Sequence, residues 1–250
     1  MKVSIITGTY NSAEFIESCI QSVNNQDYLD IEHIIIDGVS KDNTLELIKN
    51  SDSRVVKIVS EPDKGIYDAM NKGLKMATGE IVAILNSDDF YNSNDVVSTV
   101  VKKFKEHNLD CLYGNLYYVN QQNPDIIVRN WATGEYNKQK GFQYGWHPAH
   151  PTFFAKNRVY KKYGYFNLDF KIAADFEIML RLLQKNNING FYLDSPIVRM
   201  RLGGESNKSI KNIIRGNKEC MKAFKVNDLK VSALYPIYRI LPKLKQFITK

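Results

Sequence analysis

The chain has 250 residues and a formal net charge of +7, with 44% apolar and 24% charged residues, which is typical of a soluble globular protein with a full core. No uncharged apolar run reaches the roughly 18 residues of a membrane span, and a strand pattern starts at once instead of a signal peptide. We therefore expect a cytoplasmic protein. Its three cysteines lack metal-ligand spacing, which favours buried, reduced thiols.

Strand and helix patterns alternate along the N-terminal half, which predicts an α/β fold with a mostly parallel sheet and crossover helices. The predicted strands are Val3–Thr9, Ile31–Asp37, Val55–Ser60 and Glu80–Leu85. The predicted helices start after Ser12 and then cover Asp42–Asn50, Ile66–Ala77 and Asn94–Glu106. The later chain is expected to contain strands at Cys111–Asn120 and Ile126–Ala132, a loop at Gly134–Gly145, and an amphipathic helix at Asp175–Gln184.

Polar clusters follow three of the four N-terminal strands. They are TYN (Thr9–Asn11, the end of the motif TGTYN), DGVSKDNT (Asp37–Thr44) and NSDD (Asn86–Asp89). Ligands of an open parallel sheet bind at the carboxyl ends of its strands. The pattern therefore predicts that these side chains face a ligand.

Asp88 and Asp89 are adjacent carboxylates directly after the fourth predicted strand. Two neighbouring negative charges repel unless a cation or hydrogen-bond donors relieve them, and Mg²⁺ or Mn²⁺ binds few carboxylates together with substrate phosphates. One interpretation is a metal and diphosphate site. The other is a turn and cap before the next helix, because Asp, Asn and Ser are also favoured there.

Two further segments fit a nucleotide or another anion. Asp37 ends a buried strand, where a carboxylate can accept hydrogen bonds from a base or a ribose, although a turn role remains open. In EPDKGIYDAMNKG (Glu61–Gly73), Gly65 permits an unusual backbone angle just before a helix. Backbone amides and Lys64 can then meet a negative ligand, while an ordinary helix start is the alternative.

The ordered motifs resemble family 2 glycosyltransferases of the A-type fold, and most of all bacterial members that build surface polysaccharides such as capsule, O-antigen or colanic acid. The likeness continues through HPAHPTFF (His147–Phe154), YGYF (Tyr163–Phe166), IAADFEIMLRLL (Ile172–Leu183) and MRLGGESNKS (Met200–Ser209). It implies a Rossmann-like catalytic domain at residues 1–206, with a nucleotide-sugar half at 1–110 and an acceptor half at 111–206. A basic helical segment at 207–250 follows.

The resemblance also implies roles for individual residues. The nucleotide-binding candidates are Thr7, Thr9, Tyr10, Asn11, Asp37, Asp63, Lys64, Asn86 and Ser87. Asp88 matches a ligand of Mn²⁺ or Mg²⁺, with Asp89 as a second ligand or a sugar contact, although Asn86 stands where the family motif begins with aspartate. Asp175 matches the catalytic base, with helix capping as the alternative. His147, His150 and Arg201 are candidates for contacts to the acceptor or to phosphate.

These roles imply an inverting enzyme that moves a sugar from a nucleotide diphosphate sugar, expected to be a UDP-sugar, to a hydroxyl of a glycan or lipid-linked acceptor. A sugar nucleotidyltransferase shares such a sheet, but the glycine-rich phosphate loop of that class is missing after the first strand. A catalytically silent nucleotide-binding or glycan-binding protein is the other alternative. The presence of Asp88 and Asp175 argues against it.

The positive charge is concentrated at the C-terminus. Asn207–Lys250 contains 11 Lys and Arg against 2 Asp and Glu, whereas the rest of the chain carries a net charge of −2, which argues against nucleic acid as a partner. The interleaved aromatic and aliphatic residues favour peripheral binding to the anionic cytoplasmic face of the inner membrane. A terminal helix packed on the catalytic domain is the alternative.

Overall fold

The computed structural model describes residues 1–51, 54–203 and 210–239, and its N-terminal part alternates strands and helices as predicted. The strands are β1 (Val3–Thr9), β2 (Ile31–Asp37), β3 (Val55–Ser60) and β4 (Ile81–Ile84). The helices are α1 (Ile16–Asn24), α2 (Thr44–Asn50) and α3 (Ile66–Met76). β1 pairs in parallel with β2 and β4, and β2 pairs in parallel with β3. The carboxyl ends of these strands therefore meet at one edge.

The rest of the chain extends this sheet with strands of both directions. Its elements are β5 (Phe90–Tyr91), α4 (Val96–His107), β6 (Cys111–Val119), β7 (Ile127–Trp131), β8 (Phe154–Lys156), α5 (Asn157–Tyr163), α6 (Ala174–Met179), β9 (Gly190–Arg201) and α7 (Ile210–Val226). The strand order is β3-β2-β1-β4-β8-β6-β9-β5, with β7 on β6. β8 is antiparallel to β4 and β6, β7 to β6, and β5 to β9, whereas β6 and β9 are parallel. The sheet is therefore mixed, and the predicted parallel arrangement holds for β1–β4.

The sequence prediction did not include β5, β8 and α5, and two further elements differ from it. β9 is a 12-residue strand that no hydrophobic alternation indicated, because Asp194 and Pro196 interrupt its pattern, and Pro196 lies where the pairing with β6 shifts register. The predicted amphipathic helix begins as α6 but continues as a π-helix over Leu180–Lys185. None of the described helices is long and apolar enough to cross a membrane.

Hydrophobic cores cover both faces of the sheet. Successive residues of a strand point to opposite faces, so Ile6 of β1 belongs to the core under α3, α5 and α6, while Ile5 belongs to the core under α1 and α4. All three cysteines are buried, as expected from their spacing.

The described part of the basic C-terminal segment packs on this body. Phe224 of α7 and the later Tyr235 are fully buried in the first core, where both rings contact Phe176 of α6. Residues 210–239 therefore pack on the catalytic domain, which was the alternative to membrane binding. Residues 207–209 and 240–250 of the predicted segment lie outside the described residues, and the predicted domain division stays a prediction.

Candidate functional site

The four N-terminal motifs converge at the carboxyl ends of β1, β2 and β4. Asn11 accepts the amide of Lys41 at 2.8 Å, and its own amide donates to Ser40 at 2.8 Å, which ties the β1 loop to the β2 loop. The hydroxyls of Ser12 and Ser87 lie 2.9 Å apart, which ties the same loop to NSDD. The predicted strand-end cluster is therefore one continuous surface.

Gly38 lets the EPDKGIYDAMNKG segment pack against this surface. A Cβ atom at this position would lie 2.6 Å from the Asp63 carboxylate and 3.5 Å from the Tyr10 ring, so only glycine lets these three segments approach so closely. Tyr10 is 56% exposed, and Asp63 accepts the amide of Gly65 at 2.8 Å. A flat aromatic ring beside a carboxylate is a suitable surface for a base and a ribose.

Asp37 holds the loop that follows β2. Its buried carboxylate accepts the amides of Val39 and Ser40 at 3.1 Å and the hydroxyl of Ser60 at 2.6 Å. These bonds fix Val39 at a φ of 65°, a backbone conformation that is rare for a β-branched residue. The carboxylate thus makes the turn contacts that the sequence left as an alternative, and its contact with a nucleotide stays a prediction.

Of the other predicted nucleotide-binding residues, some lie on this surface and some are buried. Asn86, Ser87 and Lys64 are at least partly exposed at the strand ends. Thr9 is 3% exposed, and its hydroxyl has no partner among the described residues. Thr7 lies inside the sheet, where its hydroxyl is 2.9 Å from Nε2 of His33, so the structure separates it from the cluster.

Asp88 and Asp89 have different surroundings. Asp88 is partly exposed, whereas Asp89 is fully buried and accepts the side-chain amide of Asn86 at 2.8 Å. Burial, followed by the charge of Asp88, raises the pKa of Asp89 well above its ordinary value. Asp88 is therefore the member of the pair that can reach a ligand from solvent.

Arg201, at the end of β9, holds this acidic pair in place. Its guanidinium donates to the backbone carbonyl of Asp88 at 2.6 Å and to the hydroxyl of Ser18 at 3.1 Å. The rings of Phe15 and Phe90 flank it at 4.9 and 4.8 Å. Arg201 thus lies beneath the acidic pair, and the structure does not bring it together with the two predicted histidines.

The acidic pair fits a metal ion that arrives with a diphosphate better than a resident one. No group of three or more His, Cys, Asp or Glu side chains among the described residues is arranged to hold an ion. Mg²⁺ and similar ions are commonly held by one or two carboxylates and the phosphates of the substrate. The partly exposed Asp88 supplies one such carboxylate, and Oδ1 of Asp89 is a buried oxygen without a hydrogen-bond partner in the described structure.

Asp175 lies in the first turn of α6 beside the EPDKGIYDAMNKG segment. The Tyr67 hydroxyl of that segment donates to the Ile172 carbonyl at 2.8 Å and lies 3.2 Å from Oδ1 of Asp175. Burial, then the charge of Asp175, raises the pKa of Tyr67 well above its ordinary value, so the phenol remains a donor. The N-cap residue of α6 is Ala173, whose side chain makes no capping hydrogen bond, and no bond from a helix amide to Asp175 is found among the described residues. The carboxylate of Asp175 therefore does not make the capping bond that was the alternative interpretation.

Glu219 of α7 positions the chain that enters α6. Its carboxylate accepts the amides of Lys171, Ile172 and Ala173 at 3.0, 2.8 and 3.0 Å, and it is paired with Arg215 at 3.0 Å. Sequence reasoning missed this residue. The only signal was its charge, because it is one of two acidic residues in a basic segment.

The two histidines of HPAHPTFF lie in different environments. His150 is buried against the Phe166 ring at 5.7 Å, and burial lowers its pKa, opposed by the charge of Asp175. His147 packs edge-on against Trp131 at 5.1 Å and Phe176 at 5.6 Å. It also lines a cavity of about 290 Å³ between β7 and the C-terminal segment. The cavity was not anticipated from the sequence.

The fold agrees with solved structures of known proteins. The crystal structure of S. aureus TarS 1-349 in complex with UDP-GlcNAc superposes with a TM-score of 0.70 at 20% identity, covering 100% of this chain and 73% of that one. The mannosyltransferase PcManGT from Pyrobaculum calidifontis, in complex with GDP-Man and Mn²⁺, superposes with a TM-score of 0.66 at 21% identity, covering 97% and 69%. The A-type glycosyltransferase fold is thus confirmed.

The sequence comparisons identify the family. A PGL/p-HBAD biosynthesis glycosyltransferase of Mycobacterium bovis is 28% identical over 212 residues, which cover 82% of this chain and 78% of that protein. Residues 4–166 match the family described as Glycosyl transferase family 2. The chain therefore belongs to glycosyltransferase family 2, as its motifs indicated.

Proposed function

We propose that this enzyme is an inverting glycosyltransferase that transfers a sugar from a UDP-sugar to a hydroxyl of a glycan or lipid-linked acceptor. The observation that carries the proposal is the contact of 3.2 Å between the Tyr67 hydroxyl and Oδ1 of Asp175. Asp175 belongs to the proposed acceptor half and makes no capping bond. Its carboxylate lies directly beside the segment that follows Asp63 in the proposed donor half.

The chemistry follows from this placement. The acceptor hydroxyl attacks the anomeric carbon of the donor sugar while Asp175 accepts the hydroxyl proton. A single in-line displacement of the diphosphate inverts the anomeric centre. Tyr67 and Glu219 keep Asp175 in position, because one contacts its carboxylate and the other holds the three residues before α6.

Donor binding is assigned to the strand-end surface. Tyr10, Asn11 and Asp63 face the base and ribose, with Ser87 and Asp88 nearer the diphosphate. A divalent ion, when bound with the donor, supplies charge stabilisation for the departing diphosphate, and Asp88 is the residue that would hold it. Support for a UDP-sugar and for Mn²⁺ comes from the ligands of the two superposed enzymes.

A role in bacterial surface polysaccharide synthesis belongs to the same proposal, since a lipid-linked acceptor would place the enzyme at the cytoplasmic face of the inner membrane. The described part of the basic segment supports a structural role instead, because it packs on the core. Membrane association would thus rest on the exposed charges of the segment and on residues 240–250.

Release of free nucleotide tests the proposal. Purified enzyme is incubated with a panel of UDP-sugars and GDP-sugars, with Mn²⁺ and with chelator, and free UDP or GDP is measured. We expect UDP release with one UDP-sugar, and at least about a hundredfold less with Asp175→Asn. Donor binding with no nucleotide release under any condition would indicate the silent binding protein, and pyrophosphate release from UTP and a sugar 1-phosphate would indicate the nucleotidyltransferase.

A further inference from the structure

The cavity beside His147 has a lining unlike that of an ordinary packing defect. Its volume is about 290 Å³, enough for a sugar ring, and residues of β7 and of the C-terminal segment line it. Three cationic side chains line it: Arg129, Lys140 and Arg239. None of the described residues that line it is acidic. The cavity is therefore a concentrated positive site within a body whose first 206 residues carry a net negative charge.

Arg239 has a hydrogen-bond donor that a bound anion could use. One of its terminal nitrogens donates to the side chain of Asn217 at 2.8 Å. Its Nε is buried and has no hydrogen-bond partner among the described residues. A buried guanidinium donor without an acceptor is unfavourable, and an oxygen of a phosphate or carboxylate would satisfy it.

Aromatic side chains form the other wall. Trp131 and Trp146 both line the cavity, and the indole nitrogen of Trp146 donates to the Thr133 carbonyl at 2.7 Å, which fixes that ring. Flat apolar rings beside a few charged groups are typical of small-molecule sites, and they offer a surface to the C–H face of a sugar. The chemistry of the lining therefore combines a sugar surface with an anion site.

The cavity adjoins the helix that carries the candidate base. His147, in its wall, contacts the ring of Phe176, the residue directly after Asp175, at 5.6 Å. On the other side, the guanidinium of Arg129 lies 4.7 Å from the ring of Tyr118. The wall of the cavity is therefore in contact with α6, the helix that carries Asp175.

We infer that the cavity binds an anionic sugar unit of the acceptor, one that carries a phosphate or a carboxylate. The inference rests on the proposed glycosyl transfer, and it names the acceptor class that the transfer would use. Arg239 and Arg129 hold the anionic group, since a guanidinium presents paired donors that match a phosphate or carboxylate. Lys140 adds a point charge at the mouth, and Trp131 packs on the ring.

Tryptophan fluorescence tests the inference directly, because the chain contains two tryptophans and both line the cavity. The full chain is titrated with glucose 6-phosphate, with glucuronic acid and with uncharged glucose. We expect a saturable change in emission with at least one of the two anionic sugars and a much weaker response to glucose. Saturation by glucose 6-phosphate alone indicates a phosphate-bearing acceptor, and saturation by glucuronic acid as well indicates that a carboxylate suffices.

Variants separate this site from general charge effects. Arg239→Gln should weaken binding of the anionic sugar about tenfold or more, and Lys140→Gln by a smaller factor, because an exposed lysine contributes less than a partly buried arginine. The matched control is Arg158→Gln. Arg158 is a surface arginine of α5 that is paired with Asp110. Equal affinity for glucose and the anionic sugars, or unchanged affinity in both cavity variants, would overturn the inference. Donor turnover without any response to the anionic sugars would overturn it while leaving the proposed transferase activity intact.

Discussion

The carboxylate of Glu219 in α7 accepts the backbone amide of Ile172 at 2.8 Å, three residues before Asp175. The two neighbouring amides donate to the same oxygen at 3.0 Å. A carboxylate bound by three consecutive amides fixes the direction in which the chain enters α6. The C-terminal segment is therefore part of the machinery that places the candidate base.

The first prediction concerns Glu219→Gln. Burial raises the pKa of Glu219, but the amides of residues 171–173 and Arg215 outweigh it, so the net pKa is lower than its ordinary value of 4.5. A lowered carboxyl pKa contributes stability that is present above the unfolded pKa and is lost as the pH falls through the folded value. Glutamine keeps an acceptor but loses the charge, and we expect a loss of about 1–2 kcal/mol in unfolding free energy at pH 7.

Denaturant unfolding at pH 7 and at successively lower pH checks this prediction. The difference between the wild-type protein and Glu219→Gln should shrink as the pH falls below 4.5. Asp228→Asn is the matched control, because Asp228 is the other acidic residue of the segment and is 87% exposed. Equal effects of the two substitutions at pH 7 would mean that the three amide contacts add nothing to stability.

The second prediction compares Asp175→Asn with Tyr67→Phe. If Asp175 accepts the acceptor proton, its loss should lower turnover by about a hundredfold or more, while stability changes by at most about 1 kcal/mol because it makes no capping bond. Tyr67→Phe removes the hydroxyl that donates to the Ile172 carbonyl and contacts Asp175, at a cost of about 1 kcal/mol, and should lower turnover only about fivefold. Donor affinity should stay the same in both variants.

Steady-state kinetics and donor titration of the folded variants measure these effects. An Asp175→Asn protein that unfolds earlier than the wild type but turns over normally would assign this residue to structure alone. If Tyr67→Phe loses as much activity as Asp175→Asn, the phenol itself takes part in the chemistry.

The third prediction concerns Asp88→Asn. Asp88 is the partly exposed carboxylate of the acidic pair, so its replacement should abolish most turnover and weaken nucleotide binding in the presence of Mn²⁺. Without metal, the variant and the wild-type protein should bind UDP alike. Calorimetric titration of UDP with and without Mn²⁺ gives the comparison, and full activity in excess chelator would refute the role of Asp88.

Much of the fold could be predicted because local patterns determine it. β1 and β2 have the predicted bounds, since continuous apolar runs and flanking polar residues mark a buried parallel strand. β9 was not predicted because Asp194 and Pro196 interrupt its hydrophobic pattern. Its pairing partner is the long strand β6. Its place in the sheet is a tertiary property.

Some residues of the candidate site could likewise be predicted from local patterns, and others could not. Tyr10, Asn11 and Asp63 lie at strand ends, where the pattern indicated a ligand. Thr7 precedes the strand end by two residues and points into the sheet, so its position within the motif was a poor guide to its surroundings. Glu219 contacts residues 46 to 48 positions earlier in the chain, and no local signal reports a contact of that kind.

The last prediction concerns His33, the buried partner of Thr7. Its Nε2 lies 2.9 Å from the Thr7 hydroxyl, and burial lowers its pKa from 6.5 to about 3. Between these values the unfolded chain binds a proton that the folded protein excludes, so stability is full above pH 6.5 and falls as the pH drops toward 3. One such group contributes a slope of at most about 1.4 kcal/mol per pH unit.

His33→Gln should flatten this dependence, whatever its effect on stability at pH 7. The measurement is the unfolding free energy from urea titrations at several values between pH 7 and pH 4. His107→Gln is the control, because it makes the same substitution at a position on α4 that is 47% exposed. His150, whose pKa is also lowered by burial, accounts for part of the slope that remains. If His33→Gln and His107→Gln show the same slope as the wild-type protein, His33 is protonated in the fold and its burial does not govern acid stability.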